Sequence, residues 1–196
     1  MTLIFATNNN NKVTEIRNLI SSFFEIISLK EAGIFQEIPE PFETLEENAS
    51  EKSRVIFNLT GKNCFSEDTG LEVDALKGAP GVYSARYAGE NASYNDNCAK
   101  LLQEMEGFSD RSARFRTVIS LIINGEETKF EGICEGLITA EATGNQGFGY
   151  DPVFIPKGAT TTFAAMNLNE KQKYSHRAKA VEKLIVYLNR QYVNKK

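Results

Sequence analysis

Four stretches of the chain combine charged, amide and aromatic side chains at spacings suited to a polyanion and a metal ion. The first is Thr7-Asn8-Asn9-Asn10-Asn11-Lys12, set between an apolar run and a helical pattern. Asparagine is poor inside helices and strands because its amide competes with backbone hydrogen bonds, so four in a row need a reason. A polar strand-to-helix turn would tolerate them. The same turn suits an anion: free N–H groups and the dipole at a helix N-terminus attract phosphate, and amide side chains add neutral donors. Lys12 adds a point charge. The stretch lacks the glycines and the Ser/Thr of a Walker P-loop.

The second stretch is "EPFETLEENASEK". Glu40 lies in a Pro-flanked loop ahead of the expected helix, where it caps nothing, and is a candidate ligand for a hard cation. Glu47 and Lys52 are five apart and need not pair. The third is "FSEDTGLEVDALKGAPGVYSARYAG". Glu67 and Asp68 are expected to end a buried strand just before a turn, where α/β proteins place catalytic groups. Adjacent carboxylates repel, which favours a divalent cation or a shared proton. The "GAPG" beyond them, with Ser84 and Arg86, reads as a shaped loop. The fourth joins "GFGYDP" to "EKQKYSHRAKA". Phe148 and Tyr150 between glycines offer an aromatic face with close backbone approach, as base stacking requires. His176, Arg177 and Lys179 crowd the start of the last helix, where the dipole disfavours cations unless an electron-rich ligand is present.

These groups need elements to hold them. Leu3-Ile4-Phe5-Ala6 reads as a short buried strand, and Val13, Ile16, Leu19 and Ile20 recur at helical spacing. Residues 25–29 suggest a second strand, and 63–66 a short strand running into "EDTG". A helix is expected over 44–59, with Thr44 at its N-cap and Glu47 completing a capping box. Another is expected over 96–105. Residues 113–123 form a long strand, and Asn124-Gly125 is a hairpin turn into "EETKFEGICEG". A last helix spans about 175–192. Helices and strands mix without regular alternation, which predicts an α/β (or α+β) chain built on one long, bent mixed sheet.

Composition narrows the possibilities. With 41% hydrophobic and 24% charged residues the chain is globular. No run approaches the roughly 18 apolar residues of a membrane span, and no signal peptide is apparent. A net charge of −4 argues against a nucleic-acid binder. Cys64, Cys98 and Cys134 are odd in number and far apart, which suits a reducing cytoplasm better than a disulfide or zinc framework.

Taken in order, strand-TNNxxK-helix, ENAxxK, ED[ST]GL-V-AL-GxPG-YSARYAG, GFGYDP-F and EK-x4-HRxxA resemble the inosine triphosphate pyrophosphatase family, the "house-cleaning" XTP/dITP diphosphatases. The resemblance runs from Ala6 to Ala180. It implies an elongated two-lobed α/β fold with a central active-site cleft, one domain over 1–196, and a cytoplasmic homodimer. It also implies Mg²⁺-dependent hydrolysis of ITP, dITP and XTP to the monophosphate and pyrophosphate. Carried over by motif, Thr7, Asn8, Asn9, Asn10, Asn11, Lys12 and Lys52 would hold the triphosphate, and Glu40 and Asp68 the metal. Asp68 would also orient or deprotonate the attacking water, with Thr69 touching substrate beside it. Phe148, Gly149, Tyr150 and Asp151 would frame the nucleoside. Lys171, His176 and Arg177 would read the base edge.

Three positions depart from the pattern: Thr69 for the common Ser, Asn9 for a frequent Gly, and Ala165 for a usual acidic residue. Two rival readings remain. A Maf-like pyrophosphatase of other nucleotides is opposed by the complete GFGYDP and SHR segments. A nucleotide sensor without turnover is opposed by the intact Glu40, Asp68, Lys12 and Lys52.

Overall fold

The uninterrupted apolar run at the N-terminus is explained by burial on both faces. In the computed structural model, which describes residues 1–20, 24–36 and 38–193, β1 (Thr2–Phe5) sends Leu3 and Phe5 into one apolar cluster and Ile4 with the following Ala6 into another. A strand covered on both sides has no polar face to alternate. It pairs in parallel with β2 (Glu25–Ser28) and with β3 (Cys64–Val73).

Beyond β3 come β4 (Pro80–Gly81), β5 (Ser112–Ile123), β6 (Glu126–Ile138) and β7 (Phe154–Pro156). Together they form one seven-stranded mixed sheet in the order β2-β1-β3-β5-β6-β7, with β4 beside β3. Asn124 and Gly125 both take positive φ, 52° and 88°, as the two-residue turn joining β5 to β6 requires. The expected α/β chain with a long mixed sheet is therefore observed.

Among the described residues, five α-helices accompany the sheet: α1 (Asn10–Leu19), α2 (Leu45–Thr60), α3 (Tyr94–Glu104), α4 (Leu168–Gln172) and α5 (His176–Leu188). Thr44 caps α2 by accepting from the Glu47 amide, and Gly61 ends it in the left-handed region. Glu47 returns its carboxylate to the Thr44 hydroxyl at 2.7 Å. Helix α3 begins two residues before its expected start because Ser93 and Asp96 form a full capping box. The last helix stops at Leu188 and passes into a π-helical turn over Asn189–Val193. No helix among the described residues is long and apolar enough to cross a membrane.

One expectation is corrected. Glu67 and Asp68 do not end a strand in front of a turn; they lie inside β3, which is ten residues long and runs on to Val73. The "TG" that suggested a turn serves a close backbone approach instead. A Cβ on Gly70 would sit 2.6 Å from the Gly81 carbonyl oxygen, so only glycine lets β4 pair there.

The chain divides into two interleaved compact units. The first comprises Met1–Asp68, Thr117–Gly132 and Arg177–Lys196. Its core packs Val181, Leu184 and Leu188 of α5 with Leu3, Phe5, Ile119 and Leu121, and Phe5 stacks on Phe65 at 4.5 Å. The second comprises Thr69–Arg116 and Ile133–His176. Leu71, Val73, Leu101 and Met105 there surround an aromatic group in which Phe115 meets Phe154 edge-on at 4.8 Å.

Candidate active site

In the first unit the asparagine turn is a capped helix start. Asn9 is the N-cap of α1, and its Oδ1 accepts from the amides of Asn11 at 3.0 Å and Lys12 at 3.3 Å. The Asn9 amide in turn donates to Thr7 Oγ1 at 3.2 Å. Two N–H groups assigned to an anion are therefore satisfied within the turn, so Asn9 acts here as a cap. Asn8, Asn10 and Asn11 are exposed. Lys12 emerges from the first turn of α1 and places Nζ 3.2 Å from Glu67 Oε1.

Glu67 anchors a buried ionic cluster. Arg177 Nε lies 2.8 Å from its Oε2, Nη2 lies 2.6 Å from its Oε1, and Nη1 reaches Glu15 Oε2 at 2.5 Å. Burial alone would raise the Glu67 carboxyl, but the charges of Arg177 and Lys12 outweigh it and hold the group well below the ordinary carboxylate range. Arg177, expected at the base edge, is 1% exposed, with its guanidinium on these two carboxylates. Glu15 was not foreseen. The available signal was its position three residues after Lys12, on the same helix face.

Lys52 of α2 joins the proposed metal ligands. Its Nζ is 2.5 Å from Glu40 Oε1 and 2.7 Å from Asp68 Oδ1. Burial disfavours the ammonium, yet the carboxylates of Asp68 and Glu40 prevail and raise its pKa. Burial also raises Asp68; Lys52 opposes the shift and Glu40 reinforces it, leaving a carboxylate readier than usual to hold a proton. The helix that carries Lys52 is pinned from behind. Glu127 Oε1 accepts from Ser50 at 2.6 Å and from Ser120 at 2.9 Å, while Oε2 takes Arg54 at 2.6 Å. Ser120 also meets Ser53 at 2.6 Å.

These residues fit a hard divalent cation. Glu40 and Asp68 aim oxygens at a single point that already holds a positive group. No three His, Cys, Asp or Glu residues converge among the described residues. Such a site leaves most coordination positions to phosphate oxygens and water, as Mg²⁺ prefers.

The second unit holds the aromatic and base-edge candidates. Asp151, 2% exposed, accepts from the Phe148 amide at 2.9 Å and from Lys171 Nζ at 2.5 Å, both at Oδ2. Lys171 Nζ also stands over the rings of Phe148 at 5.1 Å and Phe163 at 5.4 Å. Helix α4, which carries Lys171, is started by an Asn167/Glu170 capping box. Phe148 is half-buried, whereas Tyr150 is buried and donates its hydroxyl to the Ser84 carbonyl at 2.9 Å. His176 is buried and stacks on Phe115 at 4.7 Å. Gly149 has φ +63°, and its carbonyl accepts from Cys98. Thr69 is half-buried in β3, and Ala165 is exposed at the end of a short 3₁₀ turn.

Gly147 is where this local geometry is most sensitive. It has φ +73°, and a Cβ there would lie 2.0 Å from Asp151 Oδ2. Gly147→Ala is expected to cost about 1–3 kcal/mol through backbone strain and displacement of the carboxylate from Lys171. Urea unfolding of the two proteins measures it.

A sequence model of the Ham1 family matches residues 3–187. This chain belongs to the Ham1 family. The resemblance read from the five motifs holds. A dITP/XTP pyrophosphatase of Christiangramia forsetii is 48% identical over 97% of this chain and 100% of its own length. One from Porphyromonas gingivalis is 49% identical over 95% of this chain and 96% of its own. The Ham1 protein of Staphylococcus aureus, a solved structure, superimposes with a TM-score of 0.88 at 35% identity, covering 97% of this chain and 100% of that one. A Ham1 protein of Coxiella burnetii gives 0.89, also at 35% identity, over 97% and 99%.

Proposed function

We propose that this chain hydrolyses the noncanonical purine nucleotides ITP, dITP and XTP to the nucleoside monophosphate and pyrophosphate, with Mg²⁺ as cofactor, and so cleanses the nucleotide pool. The chain is a nucleoside triphosphate pyrophosphatase of the Ham1 family, like its dITP/XTP pyrophosphatase relatives. The observation that carries the finer reading is the convergence of Glu40 and Asp68 on one cationic point, with Lys12 in the same compact unit.

Glu40 and Asp68 would hold the metal. Bound there, Mg²⁺ would supply charge neutralisation on the phosphoryl oxygens and a more acidic water. Asp68, whose burial raises its affinity for a proton, would orient that water and take its proton. Lys12 and Lys52 would place positive charge on the phosphates, with the Thr7–Asn11 turn beside them. Phe148 would offer a stacking face, and Lys171, fixed by Asp151, would donate to a 6-oxo purine. Adenine would leave that donor unpaired, and sites built this way discriminate by roughly 10⁴. A single domain over 1–196, a cytoplasmic setting and a homodimer follow from the family resemblance. The cytoplasm is further supported by three buried cysteines that no disulfide joins.

The test is incubation with Mg²⁺ and, separately, dITP, XTP, dGTP, ATP and dTTP, resolving monophosphate and pyrophosphate. Monophosphate and pyrophosphate from dITP and XTP, with little from the others, is the expected result. Rapid cleavage of dTTP or dGTP would overturn the base assignment and bring back the Maf-like alternative. No product from any of the five would favour a nucleotide sensor.

A further inference from the structure

Lys52 occupies the position between two carboxylates that a bridging cation would take. Its Nζ lies 2.5 Å from Glu40 Oε1 and 2.7 Å from Asp68 Oδ1, and the residue is 5% exposed. The three groups come from separate pieces of chain: a loop, helix α2 and strand β3. Two carboxylates brought together in a largely buried place repel each other unless a cation lies between them. In this fold that cation is the Lys52 ammonium.

We propose that Lys52 is a positioning residue that pre-assembles the metal site and competes with the metal for it. The ammonium holds Glu40 and Asp68 together in the metal-free protein, and a divalent ion has to displace it. This rests on the reading that Glu40 and Asp68 are the metal ligands. The charges require the exchange. Two carboxylates and one ammonium leave a net −1, which attracts a divalent ion; with the ion seated, a retained ammonium would face it at short range without screening. Lys52 is then free to meet the phosphates that arrive with the metal. The movement falls to its four-carbon stem, because α2 itself is held by Glu127 through Ser50 and Arg54 and by Ser120 through Ser53.

The test uses Mn²⁺ alone, titrated calorimetrically at pH 8 into nucleotide-free wild type, Lys52→Met, Lys52→Gln and Glu40→Gln. Both lysine variants are expected to bind Mn²⁺ at least about tenfold tighter than wild type, a gain that loss of a merely structural lysine would not produce. Glu40→Gln is expected to bind at least about tenfold weaker. Without metal, Lys52→Met should melt below wild type, and added Mn²⁺ should narrow the gap. If Glu40→Gln weakens binding while both lysine variants, folded by circular dichroism, bind no tighter than wild type, the competition between Lys52 and the metal is overturned and the metal assignment stands. If Glu40→Gln changes nothing, the metal assignment falls and takes the proposal with it. Lysine variants that fold only with Mn²⁺ support the exchange. Lysine variants that stay unfolded with or without Mn²⁺ overturn it.

Discussion

Asp68→Asn is expected to lower kcat for dITP by about 10³-fold or more while nucleotide affinity changes only a few-fold. The substitution keeps the size and one oxygen of the side chain, so β3 and its packing have no reason to move. It removes the negative charge that faces Lys52 at 2.7 Å and the group that would accept a proton from water. Binding should persist, because the positive groups assigned to the phosphates, Lys12 and Lys52, remain. Single-turnover kinetics and equilibrium binding of dITP separate the two effects. A variant retaining more than a tenth of wild-type kcat would remove Asp68 from the chemical step.

The second large effect concerns stability. Arg177→Met is expected to destabilise the fold by about 3–5 kcal/mol, because Glu67 and Glu15 would lose the guanidinium that compensates them in the interior. The same cluster sets a pH dependence. Glu67 is held below the carboxylate value of about 4.3 that it has in an unfolded chain. Its contribution is therefore complete above that value and is lost as pH falls through it toward the folded pKa. Wild type should lose stability steeply between pH 5 and pH 3, and Arg177→Met should show a flatter loss from a lower starting point. Urea midpoints across that range measure both. Parallel curves for the two proteins would mean that Glu67 does not depend on Arg177.

Much of the framework could be read from local pattern. The run at Leu3–Ala6, the helix capped by Thr44 and the Asn124-Gly125 turn each depend on residues a few positions apart, and each forms close to its expected place. Local pattern misled where a residue served something distant. The glycine after Asp68-Thr69 suggested a turn because a chain usually bends there, but Gly70 instead admits the backbone of Gly81 and the strand runs on. At Asn9 the structure adds a local use, since its Oδ1 caps the helix it begins. At Arg177 it adds a distant one: the electron-rich partner that a cation at a helix start needs is Glu67, 110 residues away in sequence.

By itself, then, the sequence determined the family, the α/β class and the inventory of chemical groups: two carboxylates suited to a cation, lysines suited to phosphate, and aromatics between glycines. Motif order and local propensity carry that information, because each depends on neighbours along the chain. Only the tertiary structure decided which of those charges face one another. It set Lys52 between Glu40 and Asp68, Arg177 between Glu67 and Glu15, and Lys171 on Asp151. The physical reason is that a buried charge is stable only beside its opposite, and the fold brings such partners together from sequence positions as far apart as 162 residues.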